Sequence, residues 1–130
     1  MIEFRGQEYR CHMEVTLELI GGKWKLLLLY KLGENGVMRF NELGRLHSRL
    51  TQKMLAQQLK ELEADGLVHR ESYNQVPPKV EYSLTDQGRG LLPIMEAMIE
   101  WGRDYLESAG KGKPRPERRA VSRTSRSARL

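Results

Sequence analysis

The sequence predicts a mainly α-helical domain that ends in one small β-hairpin, the element order of a winged helix-turn-helix. Three observations lead there. Two helical stretches are joined by a tight connection at Ser48-Arg49-Leu50. Two strand-like segments, residues 68–73 and 79–85, follow directly. Between them lies Asn74-Gln75-Val76-Pro77-Pro78, whose prolines exclude a central strand and favour an exposed loop.

The elements read in order as follows. Residues 13–20 form a short amphipathic helix stopped by Gly21-Gly22. Residues 23–32 restart as a helix that is apolar nearly all round and is therefore buried. Gly33-Glu34-Asn35-Gly36 reads as a turn, and residues 37–40 as one short strand. Residues 41–47 make a helix of about two turns, with Phe40, Leu43 and Leu46 facing inward. Thr51 caps the next helix, which runs to Ala64 and stops at Asp65-Gly66. In the second strand Val80, Tyr82 and Leu84 alternate with Glu81 and Ser83, the period of a half-buried strand. A last helix spans 91–106, where Pro93 either bends it or starts it afresh.

Charge divides the chain. Residues 111–130 hold eight Lys/Arg against Glu117 alone, so this tail carries +7 and the remaining 110 residues carry −2 of the net +5. The tail has almost no apolar residues and is expected to be disordered, adding salt-sensitive, non-specific affinity for DNA or solubility alone. The expected organisation is a folded domain at 1–110 and a basic tail at 111–130. A single cysteine, Cys11, leaves no internal disulfide framework and fits a reducing compartment. No signal-like N-terminus or membrane-length apolar run is seen, so the expected location is the cytoplasm, with no membrane partner. His12, His47 and His69 lack ligand spacing, and no catalytic constellation or phosphate loop is found. No metal, cofactor or enzymatic activity is expected.

The second helix of the pair carries the functional signal. Leu55, Leu59 and Leu62 fall at i, i+4 and i+7 and make one core face. Opposite them lie Lys53, Gln57 and Lys60, with Gln52 and Ala56 beside them, while Glu61 and Glu63 are held to the C-terminal end. Recognition helices read bases with their N-terminal residues. Lysine donates to guanine O6/N7 and glutamine pairs with adenine N6/N7. The same spacing also describes an ordinary solvated face; the hairpin that follows argues for double-stranded DNA. Lys53 and Gln57 are the candidate base readers, with Thr51 and Gln52 opening the helix beside them. Arg49, Lys60 and Lys79 are the candidate phosphate contacts, with a solvated lysine the other reading of Lys79. Arg39 either meets a phosphate or buttresses Glu42 and the wing. A winged helix used only as a protein-interaction module is the alternative, which an acidic recognition face would favour.

These motifs together resemble the HxlR-type transcriptional regulators, winged-helix proteins related to the MarR group. The resemblance covers about residues 11–106 and rests on Cys11, Ile20-Gly21-Gly22-Lys23-Trp24, Arg39-Phe40-Asn41-Glu42-Leu43 and Lys53-Met54-Leu55. It continues through Gln58-Leu59-Lys60-Glu61-Leu62-Glu63-Ala64-Asp65-Gly66-Leu67-Val68, residues 76–85 and Trp101-Gly102. His12 and the basic tail depart from the family pattern. The resemblance implies a homodimer that binds operator DNA, with repression the expected effect. It also implies that Cys11 sits at a position some such regulators use to sense oxidants or electrophiles; a small-molecule effector is the other possibility. Arg10 and His12 flank Cys11, and neighbouring positive charge favours the reactive thiolate.

The last helix supplies a reason for dimerisation. Its apolar residues, among them Ile94, Met95, Met98, Trp101 and Tyr105, cover an arc of about 180°, against roughly 100° for a helix that covers only its own core. The surplus is expected to pack on a second copy.

Overall fold

The protein is represented by a computed structural model that describes residues 1–112, 114 and 116. The disordered tail expected at 111–130 falls almost wholly outside the described residues. The chain forms two compact units, Met1–Ala97 and a second beginning at Met98.

The first unit opens with a hairpin that periodicity did not announce. Strands β1 (Ile2–Phe4) and β2 (Gln7–Tyr9) pair antiparallel across Arg5-Gly6. Both turn residues take positive φ, 54° and 73°, as the tight hairpin turn requires. Helix α1 (His12–Ile20) follows. The Glu14 carboxylate reaches back to accept the backbone N–H groups of Arg10 at 2.6 Å and Cys11 at 3.2 Å, satisfying donors that the first turn cannot.

Helix α2 (Lys25–Asn35) is longer than expected. The proposed turn at 33–36 is helical up to Asn35, and the chain breaks at Gly36 (φ 82°). Gly33 serves packing rather than termination: a Cβ there would lie 2.5 Å from Leu92 Cδ2. Strand β3 (Met38–Arg39) leads into α3 (Phe40–Gly44), which is shorter than the expected helix because Arg45 and Leu46 bond back three residues, to Glu42 and Leu43, and turn the chain. Helix α4 (Gln52–Ala64) and strands β4 (Val68–Tyr73) and β5 (Lys79–Leu84) match the expectation almost to the residue. The sheet order is β3-β5-β4, all antiparallel, with Met38 opposite Tyr82 and Arg70 opposite Tyr82 on its other side. A short helix α5 (Asp86–Arg89) then precedes α6 (Leu92–Ala109). Pro93 lies in the first turn of α6, where a missing N–H costs nothing; it starts the helix and does not bend it.

The core joins α2 to α4. Leu28, Leu29 and Leu32 from the one and Leu55, Leu59 and Leu62 from the other are essentially inaccessible. Trp24, Met38, Leu43, Leu50, Leu67, Tyr82 and Leu84 belong to the same cluster, as do Ile20, Val68 and Met95. Beside it lies Lys25, the one buried charged residue among the described residues. Its ammonium meets Glu61 Oε1 of α4 at 2.6 Å. Gln57 Nε2 donates to the other carboxylate oxygen at 2.6 Å. The Gln57 amide, and after it Lys25, hold the Glu61 carboxyl below the ordinary glutamate value. The second unit contains the remainder of α6, on which Trp101 and Tyr105 stack with centroids 5.3 Å apart.

Two outcomes follow from this packing. Gly88 is buried, and a Cβ there would lie 2.2 Å from the Leu67 carbonyl oxygen and 3.2 Å from its carbon. Backbone cannot swing aside, so Gly88→Ala is expected to cost about 1–3 kcal/mol in a denaturant melt; a variant as stable as wild type would contradict the close approach. Because the Glu61 carboxyl is held low, its stabilisation is present above pH 4.5 and is lost as pH falls through the lowered value. The stability gap between wild type and Glu61→Gln should therefore be constant near neutrality and narrow on the acid side. A gap that does not change between pH 7 and pH 3 would show that the carboxylate charge contributes nothing.

Candidate nucleic-acid interface

The connection between α3 and α4 is pinned at several points. Leu50 is buried and anchors it in the core. The His47 ring packs edge-on against Trp24, with centroids 5.2 Å apart, and its Nδ1 accepts the Arg49 N–H at 3.0 Å. Thr51 then caps α4, its hydroxyl oxygen accepting the Met54 N–H at 3.1 Å. The role of His47 was invisible in the sequence, because its partners, Trp24 above all, come together only through the fold.

This pinning sets the roll of α4. With Leu55, Leu59 and Leu62 locked inside, Gln52, Lys53, Gln57 and Lys60 are all exposed on the far side. Arg49 is exposed just ahead of the helix, and Ala56 leaves a low point in the middle of the face. The structure thus brings most of the sequence-derived residues onto one surface. It presents two lysines and two amides on one helix, groups that can hydrogen-bond base edges in a major groove, which admits an α-helix. Gln57 differs from expectation in one respect, since one of its amide hydrogens is already spent on Glu61. The i, i+4 spacing of these two residues carried that signal; the link onward to Lys25 did not show, because the two helices meet only in the fold.

The remaining cations are placed differently. Arg39 is exposed at the junction of β3 and α3; its backbone N–H donates to Glu42 Oε1 at 2.7 Å, and its backbone pairs with Glu81. No ion pair engages its guanidinium among the described residues, so the Glu42 buttress is made by the Arg39 backbone and leaves its side chain for other work. Lys79 is half-buried in the strand pair next to the wing loop, opposite Tyr73. Its ammonium lies 4.8 Å from the Tyr73 ring centroid and 3.5 Å from Glu81 Oε2. Glu81 also hydrogen-bonds the Tyr73 hydroxyl and holds that phenol above its ordinary value. Lys79 is thus tied into the wing stem, and the tip it would extend is the exposed Asn74–Pro78 loop, with Val76 almost fully in solvent.

Cys11 is exposed at the N-cap of α1, its sulfur accepting the Met13 N–H at 3.4 Å. On α6, Ile94, Met98, Trp101 and Tyr105 are exposed. Met95 must be taken off the expected interface: it is only 3% exposed and belongs to the core of the first unit. The apolar arc spans about half of the helix, and the wheel could not say which part of that arc the core claims. Helix α1 also exposes Met13 and Leu17. Below the N-terminal hairpin, Phe4, Arg5, Leu19, Leu67 and Gln87 help line an open cleft of about 420 Å³, within the size range of small-molecule sites. An ion pair from Arg5 to Asp65, the C-cap of α4, crosses its rim. No described helix is long and apolar enough to cross a membrane.

Comparison with known proteins bears on the same residues. The family model described as HxlR-like helix-turn-helix matches residues 19–110. The chain is 50% identical over 111 residues to the HTH-type transcriptional regulator YdeP of Bacillus subtilis, covering 85% of this chain and 86% of that one. It is 59% identical over 101 residues to the regulator YybR of the same organism, covering 75% and 80%. Among solved structures it resembles the redox regulator HypR in its oxidised form, with a TM-score of 0.68, 58% identity, and coverage of 72% of this chain and 96% of that one. A helix pair, a pinned turn and an antiparallel wing thus coincide with the matched residues, and the chain belongs to the HxlR-like helix-turn-helix family of transcriptional regulators.

Proposed function

We propose that the protein is a sequence-specific repressor that binds an inverted-repeat operator as a homodimer and responds to oxidants or electrophiles through Cys11. The outward face of α4 carries the reading. Gln52, Lys53, Gln57 and Lys60 are exposed on a helix whose opposite face is fully buried, so the polar face is held rigidly. Lys53 and Gln57 read base edges; Thr51 and Gln52 sit at the groove floor's entrance; Arg39, Arg49, Lys60 and Lys79 meet phosphates. Exposed Ile94, Met98, Trp101 and Tyr105 give a second copy an apolar surface of a kind that lone monomers rarely leave in water. Two-fold pairing places two α4 helices on successive turns of one DNA face, where a bound dimer blocks access to a promoter.

The exposed thiol of Cys11 supports the redox arm, as does similarity to a protein described as a redox regulator. With one cysteine per chain, two routes form a disulfide. Two Cys11 thiols of a dimer join, giving two hydrogens to the oxidant, or one Cys11 joins a small thiol. Alkylation by a quinone or aldehyde is the third route. Each changes the N-cap of α1.

The reading is tested on DNA selected from a random pool. Lys53→Ala and Gln57→Ala should each cost about 1–3 kcal/mol on the selected site and relax one position. Lys60→Ala and Arg49→Ala should weaken all sequences alike and flatten the salt dependence. Wild-type affinity in the first pair would remove α4 from the interface. For the redox arm, diamide should change operator binding by wild type and leave Cys11→Ser untouched. An equal response in both proteins would make Cys11 a capping residue only.

A further inference from the structure

We infer that Glu61, held by Lys25, sets the hydrogen-bonding polarity of Gln57, so that α4 presents the Gln57 carbonyl oxygen to DNA and selects there a base with a major-groove amino group, adenine or cytosine. The inference rests on the reading of α4 as the DNA-reading helix and goes beyond it to base choice.

The geometry is a chain of three side chains running from the core to the surface. Lys25 is buried and can only donate. Its ammonium takes Glu61 Oε1 at 2.6 Å. Glu61 Oε2 is left facing Gln57, at 2.6 Å from Nε2. An ionised carboxylate has no hydrogen to give, so Gln57 must turn its amino group toward it; the carbonyl oxygen would meet like charge. A lowered carboxyl pKa keeps Glu61 in that acceptor state near neutrality. The amide oxygen of Gln57 is then directed away from Glu61, toward solvent, with the second N–H beside it.

That pair of groups fits adenine, whose N6 donates and N7 accepts, and fits the N4 donor of cytosine. Guanine shows two acceptors in the major groove, and thymine shows O4 and a methyl group. Either could accept the second N–H but would leave the carbonyl oxygen facing no donor. A free glutamine could flip its amide to suit them; this one cannot without breaking its bond to Glu61. Glu61 is therefore a positioning residue, and Lys25 holds Glu61.

The scheme predicts a reversal on a one-atom change. In Glu61→Gln, Lys25 still claims the side-chain oxygen, so the new amino group faces Gln57. Gln57 must then accept, which turns its own amino group outward and suits guanine or thymine.

The experiment is selection from a random DNA pool with wild type, Gln57→Ala, Glu61→Gln and Glu61→Ala, with circular dichroism melts to show that each is folded. Wild type should enrich adenine or cytosine at one position per half-site, and Gln57→Ala should lose that preference. Glu61→Gln should shift the same position to guanine or thymine by about tenfold, and Glu61→Ala should relax it. If both Glu61 variants fold and keep the wild-type base, the inference fails while the DNA reading stands. If wild type enriches no motif, the DNA reading fails and takes the inference with it. A second arm needs wild type alone. Replacing the selected adenine with purine, which lacks the 6-amino group, or the selected cytosine with its 4-deamino analogue, should weaken binding about tenfold. Unchanged affinity would overturn the inference even if the variants do not fold.

Discussion

The seam between α2 and α4 is the constraint on which the rest depends. Leu28, Leu29 and Leu32 meet the Leu55, Leu59 and Leu62 face of α4 in one fully buried cluster. Each such leucine contributes about 1.5–3 kcal/mol by leaving water. That burial fixes the roll of α4, and the roll decides which residues face solvent. Rotating the helix by one residue would turn Lys60 and Glu63, or Gln58 and Glu61, toward the core and expose leucines, a change costing several kcal/mol at a core position. The surface proposed to read DNA is in this sense a by-product of the core beneath it.

At the edge of the same seam the packing becomes polar. Lys25 is carried on α2 and answered by Glu61 of α4. Buried ion pairs are weak contributors to stability, because desolvation offsets their attraction, but losing one partner is costly. The value of this pair lies in direction: it ties the buried Lys25 of α2 to a side chain on the outward face of α4, Gln57. The pinned turn does similar work at the other end, where His47 and Leu50 hold the approach to Thr51.

Sequence patterning anticipated the elements that carry their own period. The leucines at 55, 59 and 62 and the alternation of Val80, Tyr82 and Leu84 are local signals, and α4, β4 and β5 match them. What the pattern missed was non-local or too short. Strands of three residues give no alternation to count, so the N-terminal hairpin was unseen. Gly33 looked like a stop, and only the position of Leu92 shows why glycine sits within a helix. The exposed face of α4 was readable, since it is the complement of a leucine stripe; the bond that occupies Gln57 was half-readable from its spacing to Glu61. The Lys25 link and the burial of Met95 needed the tertiary structure.

Placed on a dimer, this arrangement makes one demand on the genome: the bound sites must repeat the same half-site with the two-fold symmetry of the protein. Mapping the sites occupied in cells tests that demand directly. The account predicts a shared inverted repeat whose half-sites are centred about 34 Å apart, one turn of DNA. Occupied sites that share no repeated half-site, or a single unpaired motif, would contradict it.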